Sequence, residues 1–77
     1  MAPRDKLPHK RLTDREFEIF NQLVAGKSIT DIAKSRHLSV KTISTYRTRL
    51  LEKLALTSNA ELAAYAIRHG LIAEYLI

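Results

Sequence analysis

Residues 28–54 read SITDIAKSRHLSVKTISTYRTRLLEKL, and this stretch decides the fold of the chain. Ser28 precedes a short run with apolar residues at helical spacing, and hydroxyl side chains are favoured as N-terminal helix caps. Ser39 precedes a longer run that contains neither Gly nor Pro, which favours an uninterrupted helix. The pattern therefore predicts a short helix over 29–36, a tight turn, and a longer helix over 40–54.

The longer predicted helix has two unlike faces. On a helical wheel Ile43, Leu50 and Leu54 lie together, flanked by Val40 and Leu51, so this face is expected to pack inward. The opposite face is entirely polar and consists of Lys41, Ser44, Thr45, Thr48, Arg49 and Glu52. We expect that outer face to meet solvent or a ligand.

Two further helices are predicted on either side of this stretch. The sequences TDRE at 13–16 and SNAE at 58–61 have the spacing of capping boxes, in which a hydroxyl residue and a Glu three positions later cap the same helix. Gly26 and Gly70 mark the two C-terminal ends, where a left-handed residue is favoured. The predicted fold class is thus all-α, with four helices at about 14–25, 29–36, 40–54 and 59–69.

The domain organisation follows from this pattern. Residues 1–11 contain Pro3 and Pro8 and have no helical or strand period, so they are expected to form a flexible linker or arm. Residues 12–72 are expected to form one domain, and residues 73–77 a C-terminal tail. Seventy-seven residues suffice for a single small core.

The composition argues against an enzyme or a metalloprotein. The chain has no Cys, so it offers neither disulfides nor thiolate ligands. Its three His residues are scattered, and no Ser is placed with a His and a carboxylate as a nucleophile requires. No run of about 18 apolar residues is present to span a membrane. We therefore predict no catalytic residues, no metal site and no cofactor.

The positive charge is concentrated in one segment. The formal net charge is +5, and residues 27–53 hold seven of the thirteen basic residues but only two of the eight acidic ones. The whole excess thus lies in this segment, which is the distribution expected of a nucleic-acid-binding protein. An ordinary solvated helical face is the alternative interpretation of the charge alone.

Several motifs together resemble a known family. They are LTDRE at 12–16, GKSITDIA at 26–33, LSVKTI at 38–43, LLEKL at 50–54 and Glu61-Leu62. This order and spacing is similar to the LuxR-type (LuxR/GerE-like) helix-turn-helix, the output domain of bacterial response regulators of the NarL/FixJ class. Arg36 and His37 depart from the usual pattern, which has an apolar residue, commonly Leu, and frequently Gly at these two positions.

The resemblance implies a function and a set of partners. It implies sequence-specific binding of double-stranded promoter DNA for transcription regulation, with the third helix in the major groove and the fourth able to form a homodimer on DNA. It also implies a receiver domain in the full-length protein of a two-component system, a bacterial cytoplasmic location, and RNA polymerase as a candidate partner. Residues 1–11 would then be the end of an interdomain linker.

The predicted site residues fall into three groups. Hydroxyl side chains on the outer face of the third helix are expected to meet base edges: Ser44, Thr45 and Thr48. Phosphate contacts are expected from Lys27, Ser28, Lys41, Thr42, Tyr46, Arg47, Arg49 and Lys53, although Tyr46 could equally be structural. The dimer contact is predicted at Ala60, Ala64 and Ile67, and plain surface packing is the alternative there.

Two other functions compete with DNA binding. A helical protein-interaction module could use its basic helix to bind an acidic partner. Membrane-surface binding has less support, because no helix combines a strongly basic face with exposed aromatic residues.

Overall fold

The computed structural model describes residues 8–71 and contains four helices, α1 (Asp14–Val24), α2 (Ile29–Arg36), α3 (Val40–Leu54) and α4 (Asn59–Arg68). A 3-10 turn, Pro8–Arg11, precedes α1, and no strand occurs within the described residues. The all-α four-helix prediction is confirmed. The first and fourth helices end one residue earlier than predicted, at Val24 and Arg68.

Each helix begins directly after a hydroxyl residue that caps it. Thr13, Ser28, Ser39 and Ser58 each accept a hydrogen bond from the backbone N–H three positions later, at 3.0–3.2 Å. These bonds satisfy donors that have no partner inside the helix. The four predicted starting points are therefore set by local chemistry.

The two predicted capping boxes differ in detail. At α1 the Glu16 carboxylate returns the bond to the Thr13 backbone N–H at 2.9 Å, which completes the box. At α4 the Glu61 carboxylate instead accepts from the hydroxyl and the backbone N–H of Thr57, at 2.6 and 2.7 Å. These hydrogen bonds lower the pKa of Glu61, and the bond from the Thr57 hydroxyl has the larger effect.

All four helices end in the same backbone arrangement. The residue in the left-handed conformation is Gly26 (φ 92°), His37 (φ 57°), Ala55 (φ 58°) or Gly70 (φ 68°). In each case the next residue donates its N–H back across the last turn, as from Leu38 to the Ala33 carbonyl at 2.9 Å. This is the Schellman motif, which satisfies carbonyls that the helix leaves open.

The core is formed by one face of every helix. It consists of Ile19, Phe20, Leu23, Ile32, Ala33, Ile43, Leu50, Leu51, Leu54, Leu62, Tyr65 and Ala66, all buried. Helix α1 packs against both α3 and α4, and α2 packs against α3. The predicted inward face of α3 is confirmed with one exception, since Val40, expected beside it, is 48% exposed.

The segment ahead of α1 differs from the predicted flexible arm. Residues Pro8–Arg11 form the 3-10 turn, and His9 is buried with its backbone N–H donating to the Tyr65 hydroxyl at 3.1 Å. The His9 Nδ1 lies 2.9 Å from the same hydroxyl. Residues 1–7 of the arm predicted at 1–11, and the tail predicted at 73–77, lie outside the described residues.

Candidate nucleic-acid interface

Helix α3 is fixed with its polar face outward. Its inner side chains Ile43 and Leu50 are fully buried, and α1 and α2 both pack against this helix. Rotation of α3 about its axis would expose these side chains to water, at a cost of about 1.5–3 kcal/mol for each. The outer face is therefore held rigidly by the core.

The outer face of α3 contains a shallow groove of about 410 Å³. Its lining residues are Lys41, Ser44, Thr45, Thr48, Arg49 and Glu52. The three residues predicted to meet base edges thus share one groove, with a basic residue on each side of them along the helix. Glu52 also lines the groove and, among the described residues, is its only acidic lining residue.

The hydroxyl groups in the groove are not equivalent. The Thr45 hydroxyl donates to the backbone carbonyl of Lys41 at 3.0 Å. The hydroxyls of Ser44 and Thr48 make no hydrogen bond with the described residues. The latter two therefore keep both a donor hydrogen and acceptor lone pairs for a ligand.

Most of the positive charge in residues 27–53 is not neutralised internally. Within the described residues only Arg36 and Lys53 of this segment form ion pairs, with Glu18 and Glu16. The remaining five basic residues are Lys27, Lys34, Lys41, Arg47 and Arg49. Their combined field favours an anionic partner.

Several predicted phosphate-binding residues lie outside the groove. Lys27 is exposed and precedes Ser28, whose hydroxyl caps α2. The Thr42 hydroxyl lies 2.8 Å from that of Ser39 at the start of α3. Tyr46 is half-buried and packs against the core.

Arg47 links α3 to the start of α4. Its side chain is half-buried, and its Nε donates to Asn59 Oδ1 at 2.9 Å. Nothing in the local pattern of α3 pointed to Asn59 as a partner.

Lys53 has a structural partner. Its ammonium donates to Glu16 Oε1 at 2.6 Å, and Glu16 is only 3% exposed. Burial raises the pKa of Glu16, but hydrogen bonds from Lys53 and Thr13 and the charge of Lys53 outweigh burial, so the pKa lies below its ordinary value of 4.5. The ion pair with Glu16 competes with any phosphate for Lys53.

Arg36 stands at a position where an apolar residue was expected, and it makes polar contacts with another helix. Its guanidinium donates from Nη1 to Glu18 and from Nε to Gln22, both at 2.7 Å. Both partners lie on α1, so the end of α2 is tied to α1 by charge and hydrogen bonds. His37 adopts the left-handed conformation that Gly frequently supplies in the family pattern.

The predicted dimer residues on α4 lie at the surface. Ala60, Ala64 and Ile67 are all exposed, and Ile67 is 58% exposed.

Among residues 8–71 no helix is long and apolar enough to cross a membrane. The same residues contain no group of three His, Cys, Asp or Glu side chains placed to hold a metal ion.

The fold and this face define a helix-turn-helix domain with a cationic third helix. Comparison with known proteins agrees: the profile of the family described as "Bacterial regulatory proteins, luxR family" matches residues 10–66. The chain therefore belongs to the LuxR family of bacterial regulatory proteins, which confirms the resemblance noted in its sequence. It is a DNA-binding domain of the type found in transcriptional regulators.

The chain is also similar to bacterial proteins named as response regulators. It is 40% identical over 65 residues to the response regulator GacA of Pseudomonas viridiflava, covering 84% of this chain and 30% of that protein. Over 70 residues it is 37% identical to GacA of Pseudomonas protegens, covering 91% and 33%. It is 38% identical over 64 residues to the response regulator UvrY of Escherichia coli K12, covering 83% and 29%. The chain spans about a third of the length of these relatives.

Proposed function

We propose that this domain binds specific duplex DNA as the output domain of a response regulator, with α3 in the major groove. The observation that carries the proposal is the hydroxyl-lined groove on the outer face of α3, between Lys41 and Arg49. A helix fits the width of the major groove, where every base pair presents a distinct set of donors, acceptors and methyl groups. Ser44, Thr45 and Thr48 would meet those base edges.

Phosphates on either side of the groove are the proposed partners of the basic residues. Lys41 and Arg49 lie in the groove itself, and Lys27 lies beside the N-terminus of α2, whose backbone N–H groups attract anions. Thr42, Tyr46 and Arg47 are further candidates on the flanks of α3. We leave Lys53 out of the proposed contacts because its ammonium is bound to Glu16.

Short hydroxyl side chains set a limit on direct readout. None of the three can form the bidentate pair that Arg makes with guanine, so phosphate contacts and DNA shape should supply more of the affinity. A single domain of this size should bind weakly, and two copies on a repeated half-site would bind together. The exposed α4 residues Ala60, Ala64 and Ile67 are the proposed dimer contact.

The full-length protein would add further partners. The relatives are about three times as long as the matched segment and are response regulators by name. We therefore propose that a receiver domain accompanies this one, and that the regulator acts with RNA polymerase at bacterial promoters in the cytoplasm.

Fluorescence anisotropy with labelled duplexes selected from a random library tests the proposal. Arg49→Ala should weaken binding to all duplexes alike and reduce the slope of log affinity against log salt by about 0.9, since one phosphate contact is lost. Arg15→Ala removes an equal charge from the exposed surface of α1 and should leave the slope unchanged. An unchanged slope for Arg49→Ala would contradict its assignment. Binding to polyglutamate as tight as to the selected duplex would favour the acidic-protein alternative instead.

A further inference from the structure

The internal hydrogen bond of Thr45 restricts what this residue can recognise. A hydroxyl group has one hydrogen to donate, and that of Thr45 is directed to the Lys41 carbonyl at 3.0 Å. Thr45 therefore meets a ligand with its methyl group and with acceptor lone pairs only. Ser44 and Thr48 in the same groove keep their donor hydrogens.

From this difference we infer that Thr45 reads a thymine, through contact between its methyl group and the C5-methyl group of the base. The inference rests on the proposed function, in which α3 occupies the major groove. Thymine presents its methyl group in that groove, and Thr methyl groups suit it. Guanine presents N7 and O6, which are both acceptors, so a side chain that cannot donate gains nothing from a guanine edge. Adenine and cytosine each present one amino donor that the Thr45 lone pairs can accept, and the uracil replacement below distinguishes that outcome from contact with a thymine methyl group.

The geometry of α3 keeps the Thr45 hydroxyl hydrogen bonded to the Lys41 carbonyl. The accepting carbonyl of Lys41 lies one turn earlier in α3, and Ile43, between the two residues, is fully buried. Turning the hydroxyl hydrogen toward DNA would break this bond. Thr48, with no such bond, can donate to guanine or accept from adenine or cytosine and should discriminate less.

Uracil substitution in the DNA isolates the methyl contact. Replacing one thymine of the selected duplex by deoxyuridine removes only the C5-methyl group and leaves base pairing intact. The wild-type domain should lose about fourfold in affinity at one thymine position, as expected for one buried methyl group. If no thymine position responds to the replacement, the inference fails.

Three variants assign the effect to Thr45. Thr45→Ser keeps the hydroxyl but lacks the methyl group, so the uracil penalty should disappear at that position. Thr45→Val keeps the methyl shape without the hydroxyl, so the penalty should remain. Thr48→Ser is the matched control in the same groove and should also retain it. A penalty that persists in Thr45→Ser, or is lost in Thr45→Val, would overturn the inference.

The same experiment separates this inference from the proposed function. Sequence-selective binding with a uracil penalty independent of Thr45 would refute the thymine assignment alone. If no duplex competed better than nonspecific DNA, both proposals would fail. Circular dichroism of each variant ensures that a change in affinity is not a loss of fold.

Discussion

Glu16 shows how one carboxylate joins two helices. It accepts from the backbone of Thr13, which caps α1, and from the ammonium of Lys53 near the end of α3. The capping role was predicted, because Thr13 and Glu16 are three positions apart. The ion pair was not, because Lys53 is 37 positions away and its sequence neighbours give no sign of its partner.

Removing Lys53 should destabilise the fold through Glu16. Lys53→Ala leaves a buried carboxylate without its counter-charge, and we expect a loss of about 2 kcal/mol in the free energy of unfolding. Lys34→Ala, which removes an exposed lysine of α2 without an ion pair among the described residues, should cost less than about 0.5 kcal/mol. Urea denaturation measures both. Equal stability of the two variants would show that the ion pair contributes nothing.

The lowered pKa of Glu16 predicts a pH dependence of stability. In the folded state the Glu16 carboxylate stays ionised at pH values below its ordinary pKa of 4.5, whereas in the unfolded chain it becomes protonated there. Its stabilising contribution is therefore complete above about pH 4.5 and is lost as the pH falls through the lower pKa of the folded state. Glu16→Gln should reduce the slope of stability against pH in this acidic range. Urea midpoints at a series of pH values give that slope, and an identical slope in the wild type and the variant would contradict the prediction.

At the scale of helices, the first residue of each helix was easier to predict than its last residue or the turn that precedes α1. A hydroxyl cap acts within three residues, so α1, α2, α3 and α4 begin where the sequence indicated. Helix ends depend on backbone conformation, for which Gly is the main signal. Gly26 and Gly70 gave that signal, whereas Ala55 adopts the left-handed conformation without any. The 3-10 turn at Pro8–Arg11 was missed because it depends on Tyr65, which lies 56 positions from His9.

The same substitution at two helix ends should have opposite effects. Ala55 has φ 58°, where an L-residue with a Cβ is strained, so Ala55→Gly should stabilise the domain by about 0.5–1 kcal/mol. Ala25, the cap residue directly after Val24, has φ −72°, a helical conformation, so Ala25→Gly should destabilise the domain by a similar amount. Thermal denaturation compares the pair. Destabilisation by Ala55→Gly would mean that the left-handed conformation costs Ala nothing there.

For the whole molecule, the face proposed for DNA and the face proposed for a partner lie on different helices. The α3 groove was predictable as a site because its polar residues recur at helical spacing, and the core was predictable from the apolar residues between them. The ion pairs of Arg36 and Lys53 were not predictable, because their acidic partners Glu18 and Glu16 lie on α1 and only the fold brings them near. Total charge therefore overstated the number of cations available to DNA.

Because the proposed DNA face is on α3 and the proposed dimer contact is on α4, we expect that a substitution can disrupt dimerisation without affecting DNA contact. Ile67→Glu places a charge on the proposed α4 contact and should abolish cooperative binding to a duplex with two half-sites. Its affinity for a duplex with one half-site should be unchanged within about twofold, because α3 is untouched. Gel-shift titrations on the two duplexes measure both values. Intact cooperativity in this variant would exclude Ile67 from the dimer contact.

The central claim is that the outer face of α3 enters the major groove. An NMR titration of the ¹⁵N-labelled domain with its selected duplex tests it most directly. We expect the largest amide shifts, at saturation, at Ser44, Thr45 and Thr48 and at the neighbouring Lys41 and Arg49. Unchanged amides on this face, with the shifts confined to other helices, would contradict it.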